Sequence, residues 1–457
     1  MSTEEHLQNL ARRHLWLPYT QMHDYRERDL LLVERAEGLT LYDRRGRGYF
    51  DTISSWWCIL HGHGHPTIRQ HIHAQLEQLE QVLLAGVVHE PAVRLAEKLV
   101  KITPAGLTRV FYSDNGSCAC EIAVKMSLQY WQQSGRPGRN RLAAVERGYH
   151  GDTIGTMSLG GVPEFHRAFG GLLFPSHRLP SPYCYRCAMG CAAGRCDLEC
   201  LDPLAELLAR EGETIAAFIV EPLLQAAGGM IVYPPAWLRR AAELCRQHGV
   251  HLILDEVATG FGRTGTMFAC EQAGVEPDFL CLSKGLTGGF MPLAATLTSE
   301  EICHAFYGDY QANRTFFHGH TFTGNPLGCA AALGSLAVFA EEPVMADLPA
   351  KIARLHQGLE RFRELPWVGD LRRLGMIGAL ELVKDRQGKI PFAPAERVGW
   401  PIYLAGLKEG LLLRPLGNIV YLWLPLSVTM AEIDEILERM WRVVSNPENI
   451  TGFSGKS

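Results

Sequence analysis

Two apolar segments near the middle of the chain each end in an ionisable side chain. Residues 251–254 run into Asp255, and residues 279–282 run through a serine into Lys284. Pyridoxal 5′-phosphate (PLP) needs such a pair, because a lysine amine attaches it as a Schiff base and a carboxylate faces its pyridine nitrogen. Two buried strands with solvated polar ends would show the same pattern. The acid and the lysine therefore indicate PLP chemistry, with plain strand ends as the alternative.

A second motif could hold the phosphate of such a cofactor. Residues 113–117, Ser-Asp-Asn-Gly-Ser, follow a strand pattern and begin a helix pattern. Backbone N–H groups at a helix start bind anions, and the hydroxyl of Ser117 would add a further donor. The same residue types also cap helices that bind nothing, so both interpretations stay open at this point.

An aromatic side chain lies between glycines in residues 148–151, Gly-Tyr-His-Gly. The ring of Tyr149 could stack on a flat pyridine, since aromatic rings favour offset stacking. Aromatic residues in loops more often serve packing, so this motif alone does not decide between packing and stacking on a pyridine ring.

Residues 318–322, His-Gly-His-Thr-Phe, place two histidines two positions apart beside a hydroxyl. A metal site of the usual kind would need a further ligand, and no carboxylate lies close by in the sequence. We therefore expect this loop to offer Thr321 to an anion.

Arg414 ends the apolar run 411–413 and precedes a proline. A guanidinium group in such a position could hold a substrate carboxylate through two parallel hydrogen bonds. An ion pair at the protein surface is the alternative.

Five of the 13 cysteines lie close together in the sequence. The first spacing is CxxC, which is typical of zinc sites, but the later spacings do not repeat it. We favour reduced thiols that line a compact loop over a bound metal, and we expect no metal in the protein. The five are Cys184, Cys187, Cys191, Cys196 and Cys200.

The elements that position these residues alternate between strand and helix patterns, which predicts a mostly parallel sheet covered by helices. The predicted strands lie at 30–33, 39–42, 49–50, 110–113, 142–145, 215–220, 252–254, 279–282, 376–382 and 419–424. The predicted helices lie at 67–84, 92–100, 119–131, 236–248, 326–341, 350–365 and 431–444.

Composition excludes several classes of function. A net charge of −5 gives no attraction to nucleic acid or to an anionic membrane. The apolar runs are too short to span a membrane, and the acidic N-terminus does not resemble a secretory signal. We therefore expect a cytoplasmic protein whose partners are small molecules.

Together these motifs resemble the class III (omega) aminotransferases of PLP fold type I. The resemblance rests on residues 255–265, 283–285, 115–117, 149–151 and 318–326. It implies an α/β fold with a large PLP-binding domain at 61–329, built on a mostly parallel seven-stranded sheet. It also implies a smaller α/β domain formed by 1–60 and 330–457.

The same resemblance implies roles for individual residues. Lys284 would attach PLP, Asp255 would face its nitrogen, and Tyr149 would cover its ring. Thr321 would reach the phosphate across a dimer interface, so a homodimer is implied. The cofactor site would comprise Gly116, Ser117, Tyr149, Asp255, Lys284, His320 and Thr321, with Lys284, Asp255 and Tyr149 as its catalytic members.

A narrower resemblance concerns the substrates. Residues 16–22, 54–66 and 413–417 resemble those family members that aminate 8-amino-7-oxononanoate in biotin synthesis, with S-adenosylmethionine as the amino donor. This implies a ping-pong transamination that yields 7,8-diaminononanoate. The residues expected at the substrate are Tyr19, Trp56, Trp57, Tyr149, Asp152, Lys284, Gly319 and Arg414.

The sequence leaves three alternatives to this function open. An omega-amino acid:pyruvate aminotransferase, acting on taurine or β-alanine, would share the fold and the PLP motifs. The biotin step could also use lysine as its donor. A PLP-binding regulator would need a DNA-binding module, and the residues before the PLP motifs show neither a helix-turn-helix pattern nor a basic cluster.

Overall fold

The central sheet has seven strands in the computed structural model, which describes residues 3–191 and 195–451. Among these strands only Ala294–Thr298 runs antiparallel to its neighbours. The α/β fold with a mostly parallel seven-stranded sheet is therefore confirmed. The strand order is Arg109–Ser113, Ala294–Thr298, Phe279–Leu282, His251–Asp255, Ile215–Val220, Arg141–Val145 and His177–Leu179.

Continuous apolar runs form the inner strands of this sheet. Every residue of Ile215–Val220 and of Phe279–Leu282 is buried, as expected for parallel strands that are covered on both faces.

Helices supply that cover. The longer helices of the chain are Thr3–His14, Pro66–Leu76, Glu90–Ile102, Gly116–Gln133, Asp202–Glu211, Pro235–Gln247, Pro326–Glu341, Val344–Leu359, Gly399–Lys408 and Met430–Val444; the shorter ones include Ile154–Leu159, Pro163–His166, Ala269–Ala273, Glu300–His304 and Glu448–Thr451.

A second, antiparallel sheet lies in the C-terminal part of the chain, with Ile377–Asp385 at its centre. Val368–Leu374, Ile419–Trp423 and the short Ile390–Pro391 pair with it. A three-stranded N-terminal sheet contains Val33–Glu37, Thr40–Asp43 and Gly48–Phe50.

Hydrogen bonds join the N-terminal sheet to the C-terminal part. The N–H of Phe50 donates to Gly410 O at 2.8 Å, and the N–H of Trp423 donates to Thr52 O at 2.7 Å. These bonds are consistent with a small domain drawn from both ends of the chain. Its limits at 60/61 and 329/330 stay a prediction, and residues 1–2, 192–194 and 452–457 of the predicted ranges lie outside the described residues.

Several local predictions were wrong. The helix predicted at 67–84 ends at Leu76, because the next segment is bound by tertiary contacts: the Asn325 amide donates to Glu80 O at 3.0 Å and to Gln81 Oε1 at 2.9 Å. The first strand is Val33–Glu37, so it shares only Val33 with the predicted strand at 30–33. The helix Thr3–His14 and the strand Ala294–Thr298 were not predicted.

No single helix among the residues that the structure covers is both long and apolar enough to cross a membrane. One bent pair of helices, Pro326–Glu341 with Val344–Glu364, is long and apolar enough when the two are taken together, judged by length and composition alone.

Candidate active site

The carboxyl ends of the parallel strands meet at one edge of the sheet and open into a cavity of about 690 Å³. Ligand sites of open α/β sheets form at this edge. The strand ends supply the polar groups of the cavity, and loops supply its walls. Its lining includes Trp57, Cys58, Asp114, Asn115, Gly116, Ser117, Tyr149, His150, Asp152, Thr153, Glu221, Asp255, Val257, Ser283, Lys284 and Phe290.

Lys284 follows the strand Phe279–Leu282 and has a left-handed backbone with φ of 44°. Burial lowers the pKa of its amine, while the nearby carboxyl groups of Asp255 and Glu221 act in the opposite direction. Its Nζ lies 4.9 Å from the centroid of the Trp57 ring. A lysine with a lowered pKa offers more unprotonated amine near neutral pH, which suits a nucleophile or a base.

Asp255 ends the adjacent strand His251–Asp255 and is buried. Its Oδ2 lies 2.8 Å from His150 Nδ1, and its Oδ1 accepts the N–H of Val257 at 3.1 Å. The Cys120 thiol completes a compact buried group with His150 and Asp255. Partners on both oxygens fix the plane of the carboxylate.

The helix Gly116–Gln133 begins beside the cavity, with Asn115 as its N-cap. A Cβ at Gly116 would lie 2.5 Å from Val257 Cγ1, so only glycine fits there. The Ser117 hydroxyl lies 2.7 Å from Thr153 Oγ1 and 2.9 Å from Thr156 Oγ1. This helix start therefore presents backbone N–H groups and a cluster of hydroxyls to the cavity.

Tyr149 lies in the loop that follows the strand Arg141–Val145. Its backbone N–H donates to Glu221 Oε2 at 3.0 Å, and its hydroxyl donates to Asp152 Oδ2 at 3.0 Å. Burial raises the pKa of Glu221 to about 8, and the neighbouring charge of Asp255 adds to that rise. Glu221 thus anchors the tyrosine loop to the next strand of the sheet.

Aromatic residues from distant parts of the chain form an outer wall. The Tyr19 hydroxyl donates to Asp152 Oδ1 at 2.6 Å, and its ring meets that of Trp56 edge-on at 5.7 Å. The Arg414 guanidinium lies 4.3 Å from the centroid of the Trp56 ring and donates to Tyr19 O at 3.4 Å. The structure therefore brings these four predicted substrate residues together beside Tyr149.

The loop with Gly319, His320 and Thr321 does not line the cavity of its own chain. His320 Nδ1 lies 2.8 Å from Asp114 Oδ2, at the cavity edge, while Gly319 and Thr321 are exposed. The sequence shows no carboxylate close to these histidines, but in the folded chain Asp114 lies beside His320.

The cysteine-rich segment packs away from the cavity, against the C-terminal sheet. Arg186 Nε donates to the buried Glu381 Oε1 at 2.6 Å, and the Tyr183 hydroxyl bonds the same carboxylate. All five thiols are partly buried. Within 3–191 and 195–451, the group of three potential metal ligands that lies close enough to share an ion is the one at Asp255, not this segment. The absence of a metal stays a prediction.

Sequence reasoning missed two residues of the site and one residue behind it. Glu221 and Phe165, whose ring lies 5.1 Å from that of Tyr19, were not predicted there. Neither was the buried Asp51, which bonds the tryptophan segment from outside the cavity. Contacts between elements revealed each of them.

The cavity fits PLP by its donor set. The Lys284 amine and the Asp255 carboxylate share one cavity with a helix start at Gly116, where a Cβ would clash with Val257. A partly exposed tyrosine ring lies beside them. The buried His150 Nε2 has no hydrogen-bond partner among the described atoms, so the proton of this imidazole belongs on Nδ1, facing Asp255.

Comparisons with known proteins agree with this arrangement. The sequence profile of the family described as Aminotransferase class-III matches residues 22–444. The adenosylmethionine-8-amino-7-oxononanoate aminotransferase of Geobacter sulfurreducens is 46% identical over 433 residues, which cover 94% of this chain and 96% of that protein.

Two solved structures superpose closely. The enzyme of the same name from Methanocaldococcus jannaschii gives a TM-score of 0.92 at 40% identity, covering 96% of this chain and 98% of the other. An amine transaminase from an uncultivated Pseudomonas species, solved in its PLP-bound form, gives 0.89 at 35% identity, covering 94% and 98%. The chain therefore belongs to the class III aminotransferases.

Proposed function

We propose that the protein transfers an amino group from S-adenosylmethionine to 8-amino-7-oxononanoate, giving 7,8-diaminononanoate for biotin synthesis. The observation that carries the proposal is the meeting of Tyr19, Trp56 and Arg414 beside Asp152, which lines the cavity together with Lys284 and Asp255. The name shared by the Geobacter and Methanocaldococcus relatives supports the same substrates.

Groups from several strand ends would hold PLP. Lys284 would attach it, Asp255 would face its nitrogen, and Tyr149 would cover its ring. The start of the helix Gly116–Gln133 and the Ser117 hydroxyl would take its phosphate. When bound, PLP supplies an electron sink for the pair left on the donor carbon and a carrier for the amino group.

The proton steps belong to Lys284. Its Nζ takes the proton from the donor α-carbon, and burial favours the unprotonated amine that this step requires. In the second half-reaction the same Nζ returns a proton to the carbon of the acceptor that receives the amine. Asp255, whose carboxylate is oriented by His150 and the Val257 N–H, would face the pyridine nitrogen and hold a proton there.

The outer wall binds the substrates. Trp56 and Tyr19 offer apolar faces for the alkyl chain of the acceptor, and Arg414 pairs with its terminal carboxylate. The contacts of Arg414 in the structure are with an indole ring and a backbone carbonyl, so neither neutralises its charge. Trp57, Asp152 and Gly319 complete the proposed substrate site.

We infer a cytoplasmic homodimer in which Thr321 and His320 act in the partner's site. Apolar side chains around this loop are exposed, with Phe317 at 75% and Phe322 at 57%. Large exposed apolar groups on one surface mark contacts with another protein. A sedimentation mass of one chain for the holoenzyme would contradict this inference.

Spectra of the half-reactions test the substrate assignment. S-adenosylmethionine is expected to bleach the absorbance of bound PLP in a single turnover, whereas taurine and β-alanine are not. The aminated enzyme should then recover its absorbance on adding 8-amino-7-oxononanoate. Bleaching by lysine alone would change the donor, and bleaching by β-alanine with recovery by pyruvate would replace the proposal with the omega-amino acid alternative.

Arg414→Ala is expected to raise the KM for 8-amino-7-oxononanoate by about tenfold or more, the value of a charged hydrogen bond. The half-reaction with an amine that lacks a carboxylate should change little. Arg136→Ala is a matched control, because its guanidinium also lies over an indole, 5.8 Å from the centroid of Trp131, but away from the cavity. An unchanged KM would place the carboxylate elsewhere.

A further inference from the structure

The backbone that carries the two tryptophans is left-handed over four consecutive residues. The φ angles are 48° at Ser54, 52° at Ser55, 108° at Trp56 and 72° at Trp57. None of the four is glycine, and left-handed backbone costs free energy at each residue with a Cβ. Such a run persists only where surrounding contacts hold it.

Asp51 supplies the side-chain contacts at Ser55, while the Ser54 hydroxyl donates to Trp423 O at 2.6 Å. The Asp51 carboxylate is fully buried, and Oδ1 accepts the Ser55 N–H at 2.9 Å. Oδ2 accepts the Ser55 hydroxyl at 2.6 Å and lies 2.9 Å from His63 Nε2. Hydrogen bonds to an ionised acceptor are stronger than neutral ones, so the carboxylate can offset the backbone strain.

The two tryptophans depend on this turn to different degrees. Trp57 is buried, stacks on Trp423 at 4.9 Å and donates from Nε1 to the Tyr421 hydroxyl at 3.2 Å. Trp56 is 37% exposed, and among the described residues its side chain makes ring contacts, with Tyr19 and Arg414. The direction of the Trp56 ring therefore rests mainly on the backbone that Asp51 holds.

We propose that Asp51 is a positioning residue for acceptor recognition: it holds Ser55 in left-handed backbone and so fixes Trp56 below Arg414. Asp51 is fully buried behind the turn and does not line the cavity, so it acts through Ser55 and not by contact with a substrate. The inference rests on the proposed function for the identity of the acceptor. Its structural part, the fixing of the turn, holds for any substrate.

Asp51→Asn tests the role, because it removes the charge and keeps the size. We expect the KM for 8-amino-7-oxononanoate to rise about tenfold, while kcat and the affinity of the apoenzyme for PLP stay within about threefold. In the holoenzyme, hydrogen exchange in peptides over 52–58 should become about tenfold faster. Unchanged KM and unchanged exchange would overturn the proposal, as would a parallel loss of kcat and PLP affinity.

A second substitution separates positioning from general stability. Glycine takes left-handed backbone without cost, so Ser55→Gly in the Asp51→Asn background should return the KM to within about threefold of the parent. Failure of this rescue would mean that strain at Ser55 is not what Asp51 opposes, and would overturn the proposal.

Asp278→Asn is the matched control. Its partly buried carboxylate also accepts a backbone N–H, from Leu252 at 2.7 Å, but at the amino-terminal end of the strand Phe279–Leu282, away from the cavity. This variant should leave the KM and the exchange at 52–58 unchanged. The substrate assignment and the role of Asp51 can fail separately. If the parent enzyme showed no turnover with 8-amino-7-oxononanoate, the proposed function would be wrong. The exchange experiment would still decide whether Asp51 holds the turn.

Discussion

Replacing Lys284 with alanine is expected to abolish transamination and to remove the long-wavelength absorbance of the bound cofactor. Both effects would have one cause, since we propose that the same Nζ attaches PLP and moves the proton at the donor carbon. Burial lowers the pKa of this amine, which keeps more of it unprotonated near neutral pH than in free lysine. No other lysine lines the cavity in the described part of the chain.

The measurement is single-turnover spectroscopy of the reconstituted variant with S-adenosylmethionine. Lys351→Ala is the matched control, because burial lowers the pKa of that amine too and its Nζ donates to Leu426 O at 2.8 Å, outside the cavity. The control should keep the cofactor absorbance and lose at most some stability. Turnover by the Lys284 variant would remove the central assignment of the site.

The pair Asp255 and Lys284 could be predicted because the fold makes sequence position informative. The strands that carry them are neighbours and run parallel, so their carboxyl ends must lie together at one edge of the sheet. A short apolar run that ends in a single ionisable group is visible in the sequence. The contacts of Asp255 with His150 and Cys120 were not, because those residues come from other elements and approach it only through packing.

The tryptophan turn shows the opposite case. Trp56 and Trp57 could be predicted at the substrate from their resemblance to a known motif, but the left-handed backbone could not. The residue types give no hint of it, since a positive φ is normally expected at glycine. Nor could the sequence predict the hydrogen bonds between Asp51 and Ser55. The role of a buried acid depends on the groups that contact it in the folded chain, and its neighbours in the sequence do not reveal them.

Asp255→Asn is expected to lower the rate of transamination by at least about a hundredfold, the size of a lost electrostatic contribution at the reacting centre. An amide cannot keep the pyridine nitrogen protonated. It also fits its neighbours poorly, because His150 Nδ1 and the Val257 N–H both donate to the carboxylate. If the amide turned its NH₂ to His150, the imidazole proton would have to move to Nε2, which is buried without a partner among the described residues.

Two measurements check this expectation. The rate constant of the half-reaction should fall, and the absorbance of bound PLP should titrate differently with pH, because the charge beside its nitrogen has gone. Asp278→Asn is the control, because it makes the same chemical change just before the strand Phe279–Leu282. There the carboxylate accepts the N–H of Leu252 and does not line the cavity. That control should keep the parental rate. A rate within a few-fold of the parent for the Asp255 variant would show that another group holds the nitrogen, and the donors around Asp255 would then serve only to satisfy a buried acid.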